Sequence, residues 1–170
     1  AGRTAQEINL TALGSDAGVS HNTARAWLSI LESSYLVHRL PAWHNNVRKQ
    51  VVKAAKLHFL DSGLVCYLLN IREPEQLRHH PLRGAIFESW VVSELYKAQV
   101  HRGEQPDFYH YRESRGLEMD VLMNLGDRLC AVEVKSAATA AADFFKRFEP
   151  FAERVRNTDL PARIENVVIY

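Results

Sequence analysis

No apolar run in this chain approaches the ~20 residues a helix needs to cross a bilayer. No basic segment followed by an apolar one opens it, so neither a membrane nor a secretory route is expected. Cysteine is scarce. Cys66 and Cys130 are the two, each among apolar neighbours, at a separation that matches no zinc pattern. Reduced, packed thiols and a cytoplasmic location are the expectation. The chain also lacks a glycine-rich loop of the G-x-x-x-x-G-K-[ST] kind, so these residues should hold no nucleotide phosphate through one. Nor does it carry a large charge of one sign, since the formal net charge is +1.

What is present suits a globular protein: 46% of residues are apolar and 24% charged. A length of 170 residues allows one domain of ordinary size or two small ones. The chain starts Ala-Gly-Arg without methionine and stops within strand-like "ENVVIY", which reads as a fragment truncated at its C-terminal end. Charge is uneven along it. Residues 1–80 hold nine Lys/Arg against six Asp/Glu, whereas residues 81–170 hold twelve against fourteen. Arg48, Lys49, Lys53 and Lys56 concentrate the basic excess in one stretch suited to a phosphate backbone, although a solvated loop is the commoner meaning of such residues.

The first half, residues 1–75, has the rhythm of a winged helix-turn-helix. A helix is predicted around Leu10–Ala17, followed by a turn at Gly18. Ser20 is a suitable N-cap for a second helix, because its hydroxyl can accept from free backbone donors of the first turn. Ala24, Trp27, Leu28 and Leu31 recur at three- and four-residue steps and predict an inward stripe. His21, Asn22 and Arg25 fall at the exposed start, where a DNA-binding helix would reach base edges. Two strand-like runs, "YLVHRLP" and "KLHFL", flank the polar stretch "AWHNNVRKQ" as a wing would. Winged helices also serve as protein–protein modules, so DNA contact is one of two meanings. A short helix capped by Asp61 or Ser62 closes this half.

The second half, residues 76–170, begins in a connector bracketed by prolines and runs into a long helix, "LRGAIFESWVVSELYKAQV". Glu88 shares a face with Ala85, Val91, Val92 and Leu95, while Ser89, Ser93 and Lys97 are predicted to face away. A glutamate on an apolar face is seldom fully buried unless paired. Three strand-like runs follow, "DFYHYR", "LEMDVLMNL" and "RLCAVEVK", the last two joined by a tight turn at Gly126–Asp127. Met119, Val121 and Met123 are predicted to share one strand face and Asp120 and Leu122 the other. A helix broken near Pro150 and a final strand, "ENVVIY", complete the order.

Glu133 and Lys135 sit two apart, on one face of the third strand. Strands joined by a short turn pair, which would bring Asp120 beside them. Two facing carboxylates suit a hard cation such as Mg²⁺, which prefers oxygen ligands and keeps several waters. Such an ion polarises a phosphate oxygen and acidifies bound water, and a neighbouring lysine can orient that water. The plainer reading of the same residues is a structural ion-pair cluster.

The order helix, three strands, helix, strand resembles the PD-(D/E)XK nuclease-like fold, an α/β (α+β) αβββαβ core with a mixed sheet. In that resemblance Asp120 is the strand acid, Glu133-Val134-Lys135 the E-x-K, and Glu88 the first-helix glutamate. It implies catalytic roles for Glu88, Asp120, Glu133 and Lys135, with Mg²⁺ held by Asp120 and Glu133. "ILESSYLVHRLPAW", "KAAKLHFLDSGL", "GAIFESWVVSEL", "FYHYRESRGLEMDVLMN" and "AVEVK", in order, resemble a more particular family over nearly the whole chain. That family is the C-terminal region of bacterial and archaeal AAA-type ATPases catalogued as domain of unknown function 4143. The likeness implies an ATPase domain upstream as partner, with ATP bound only there. The family's usual lysine-x-proline-lysine reads "KAAK", with Ala55 in place of proline.

Two functions follow as expectations. One is a metal-dependent nuclease-like domain cutting DNA. The other is a non-catalytic module that binds DNA, a partner protein or sister subunits of a homo-oligomer through residues including His21, Asn22, Arg25, Arg48, Lys49 and Lys53.

Overall fold

The computed structural model describes residues 1–43, 54–113, 116–156 and 163–170. The described residues fall into two units. The first takes Ala1–Leu40 and Ala54–Glu94, the second residues 41–43 and Leu95–Tyr170.

In the first unit a two-residue strand β1 (Gln6–Glu7) precedes helices α1 (Leu10–Ala17) and α2 (His21–Ser33). The caps explain the boundaries. Asn9 accepts from the Ala12 amide, and Gly18 ends α1 at φ 66°, a left-handed position that favours glycine. Ser20 then caps α2 by accepting from the Thr23 amide, as its place before the apolar stripe predicts. Strands β2 (Val37–Leu40) and β3 (Lys56–Phe59) pair antiparallel, and β1 adds to the other side of β3, giving the order β1-β3-β2. The Asp61 carboxylate caps α3 (Ser62–Leu68) by accepting from the Leu64 amide. Leu28, Val37, Leu57, Phe59, Val65 and Ile86 share the core.

Three expectations change here. The proline-bracketed connector contains a short helix, α4 (Pro74–His79), because proline fits the first helical turn. Of the predicted stripe on α2, Ala24 and Leu28 are buried, but Trp27 is 50% and Leu31 38% exposed. The eight-residue α1 and the short strands cover only part of that face, leaving an apolar groove of about 450 Å³ lined by Trp27, Leu31 and Leu13. On α5 (Arg83–Val100), Ser89 and Ser93 are buried rather than turned away. Their hydroxyls find partners inside: Ser89 Oγ lies 2.7 Å from Thr4 Oγ1 and 3.1 Å from His58 Nδ1, and Ser93 donates to the Trp90 carbonyl at 2.8 Å. A satisfied hydroxyl is small enough to pack in a core.

The second unit centres on a four-stranded sheet of order β4-β5-β6-β7: β4 (Phe108–Arg112), β5 (Glu118–Asn124), β6 (Arg128–Val134) and β7 (Arg163–Ile169). The first three pair antiparallel through short connections. The chain between β6 and β7 includes a 3₁₀ turn (Ala142–Phe145) and α6 (Phe148–Val155), a crossover long enough to set β7 parallel to β6. The sheet is therefore mixed. Phe148, Phe151 and Val155 of α6 pack on Met119, Leu122, Leu129 and Ala131. Pro150 does not break the helix. It occupies the first turn of α6, where a missing N–H costs no intrahelical bond.

The remaining correction concerns Met119. Tyr109 pairs with Leu122 while Tyr111 pairs with Met119, so two steps on β4 match three on β5. His110 thus faces both Asp120 and Val121, a β-bulge. The extra residue brings Met119 into the same core cluster as Leu122, away from the face predicted by simple alternation.

Candidate active site

The β5–β6 pairing runs from Asn124↔Leu129 to Val121↔Val132, and Asp120 and Glu133 are the next residues on their strands. At that point the bulge replaces the ladder with a side chain: Asp120 Oδ2 accepts from the Val134 amide at 2.8 Å. Glu133 sits on β6, a strand flanked by β5 and β7, with Val168 as its partner on β7. Its position explains its burial, since only 1% of its side chain is exposed. Ala131 and Leu129, two and four residues earlier, belong to the core under α6, so Glu133 and Lys135 continue that face.

The two Glu133 oxygens differ. Oε1 accepts from Lys135 Nζ and from Arg147 Nη1, the latter at 2.9 Å. Oε2 is buried and has no hydrogen-bond partner among the described residues. Burial pushes the carboxyl above the ordinary glutamate range, the charge of Asp120 pushes it further, and Lys135 and Arg147 oppose both. Lys135 and Arg147 reach out of the interior, with 32% and 42% of their side chains exposed. One site thus holds two acids and two bases. Among the described residues no three of His, Cys, Asp and Glu gather as a metal-ligand set. A cation here would take its protein ligands from Asp120 and Glu133 and fill its shell with water or phosphate oxygens, the habit of Mg²⁺. The orphaned, buried Oε2 fits such a cation, because an unpartnered carboxylate oxygen away from water costs free energy that a positive charge recovers.

Glu88 belongs to the first unit. Its Oε1 accepts from Lys56 Nζ at 3.0 Å, with 16% and 4% of the two side chains exposed. The partner that an inward glutamate requires is therefore the closing lysine of "KAAK". Cys66 and Cys130 are free thiols, both raised above the ordinary thiol value by burial foremost. They stay protonated, as inert packed cysteines do. His21, Asn22 and Arg25 are exposed at the start of α2. Arg48, Lys49 and Lys53 lie outside the described residues.

Arg147 goes unremarked in the sequence, and Lys56, expected in a basic stretch suited to a phosphate backbone, is instead buried against Glu88. Lys56 had a signal in its motif, which points to a turn rather than to a buried ion pair. Arg147 stands among the charged residues of "FFKRFEPFAERV" with nothing to separate it from its neighbours until the helix docks.

Among the described residues no helix is long and apolar enough to cross a membrane. Two curated mycobacterial relatives, described as uncharacterized proteins of Mycobacterium tuberculosis and Mycobacterium bovis, are each 28% identical to the chain over 121 residues. The match covers 71% of this chain but 26% of each relative, so the chain spans about a quarter of their length. No solved structure matches the chain at a significant level. Residues 1–75 match one family model, a domain of unknown function (DUF8612). Residues 83–170, more than half of the chain and the segment that carries Glu88, Asp120, Glu133, Lys135 and Arg147, match another, a domain of unknown function (DUF4143), and it is to this family that the chain belongs.

Proposed function

We propose that the second unit is a PD-(D/E)XK nuclease-like domain that hydrolyses DNA phosphodiesters with Mg²⁺. In the same reading the first unit is a winged helix-turn-helix that binds DNA, and both form the C-terminal part of an AAA-type ATPase. The observation that carries it is Glu133, a buried carboxylate with one oxygen held by two cations and the other without a hydrogen-bond partner among the described residues, beside Asp120.

When bound, Mg²⁺ would supply Lewis acidity towards a phosphate oxygen and a bound water of lowered pKa. The chain's own residues do the rest. Asp120, fixed by the Val134 amide, and Glu133, fixed by Lys135 and Arg147, present oxygens without needing to reorganise. The Lys135 ammonium, partly exposed, orients the attacking water and faces the charge that builds on the phosphate. Glu88, the first-helix glutamate of the family pattern, is paired with Lys56 within the first unit.

The test is cleavage of supercoiled plasmid and single-stranded DNA with Mg²⁺ or Mn²⁺. The chain should cut at least one of them, and Glu133→Ala and Lys135→Ala should each be slower by about 100-fold or more. Cutting that survives both substitutions sinks the assignment.

A second reading is favoured by the ion pairs themselves. Lys56–Glu88 and Lys135–Glu133–Arg147 neutralise charge internally, as a purely structural cluster would. In that case the chain is a non-catalytic DNA- or protein-binding module of the ATPase. No metal-dependent cutting would occur, and DNA binding would fall when Arg48, Lys49 and Lys53 become alanine.

A further inference from the structure

Arg147 stands at the N-cap of α6 and places Nη1 2.9 Å from Glu133 Oε1. The two side chains live in opposite surroundings: 1% of Glu133 is exposed against 42% of Arg147. A guanidinium carries five N–H donors in a planar fork and accepts nothing. Among the described residues Glu133 is the group that takes one of them, so the exposed remainder is offered to whatever approaches the site. We propose that Arg147 is a substrate-binding residue of the Asp120–Glu133–Lys135 site, gripping a phosphate oxygen of a nucleic-acid backbone; this rests on the hydrolytic reading above.

Charge and geometry both support the assignment. Asp120 and Glu133 bring two negative charges, and Lys135 and Arg147 bring two positive ones. A divalent cation between the acids then leaves a site of net positive charge, complementary to the single negative charge of a phosphodiester. Without Arg147 half of that surplus is gone. A planar fork also matches phosphate oxygens better than an ammonium does. Because the buried carboxylate already anchors the side chain, less rotamer freedom remains to be lost when a phosphate is gripped.

The same contact could tie α6 to β6 and do nothing else. The experiment therefore reads DNA binding rather than stability. Fluorescence anisotropy of a short fluorescein-labelled DNA is followed with the full 170-residue chain in Ca²⁺ across a salt series. Arg147→Ala should raise Kd roughly 10-fold and lower the slope of log K against log salt by about one. Arg147→Lys, which keeps the charge, should fall between. If Arg147→Ala does not fold, Arg147→Gln carries the test, since it retains a donor for Glu133 and loses the charge.

Wild-type Kd and salt slope in the folded alanine or glutamine variant overturn the proposal. If Glu133→Ala and Lys135→Ala meanwhile abolish cutting, the hydrolytic reading stands without it. If the wild type cuts nothing while Arg147→Ala binds 10-fold more weakly, hydrolysis fails and the phosphate contact is supported.

Discussion

The two oxygens of one glutamate have different environments, and a pH experiment follows from that. Burial first, and Asp120 second, hold the Glu133 carboxyl above its ordinary value of 4.5, against Lys135 and Arg147. A group raised on folding contributes stability that is fully present below the unfolded value and is lost as pH rises through the folded one. The melting temperature of wild type minus that of Glu133→Gln should therefore fall as pH climbs from 4.5 towards neutrality. A difference that stays flat over this range would contradict the burial account. At this scale Glu133 and Lys135 were legible, because a charged pair on an apolar strand is an anomaly that spacing alone exposes. Arg147 was not. It lies fourteen positions after Glu133, and only the crossover through α6 brings the two together.

Elements were legible where local chemistry decides them. Ser20 and Asp61 cap the helices they precede, and the Gly126 turn pairs β5 with β6. Side-chain direction was harder wherever tertiary contacts intervene. Ser89 and Ser93 turn inward because Thr4, His58 and the Trp90 carbonyl satisfy them, which no periodicity can announce. Met119 changes face because one extra residue sits in β5, and the same bulge frees Asp120 to cap the Val134 amide. The turn between α1 and α2 offers a sharp test. The Val19 amide donates to the Gly14 carbonyl, and a Cβ on Gly14 would lie 2.7 Å from the Val19 carbonyl oxygen. Gly14→Ala should thus cost about 1–3 kcal/mol in urea unfolding, because overpacking outweighs the gain of ~1 kcal/mol in helix propensity. A stabilised variant would refute this packing.

At the scale of the whole molecule, the described residues form two units, each with a core of its own, and the modest basic excess lies in residues 1–80. If the first unit contacts DNA through the start of α2, Arg25→Ala should weaken binding and lower the salt slope by about one, read by anisotropy. Binding that ignores both Arg25 and salt would argue for a protein partner on this unit instead. The central claim concerns the second unit, and calorimetric titration of Mn²⁺ into the 170-residue chain addresses it most directly. The account predicts binding at one site in the wild type, and its loss in folded Asp120→Asn and Glu133→Gln. A wild type that takes up no Mn²⁺, or variants that bind it as the wild type does, would contradict a cation site between these carboxylates.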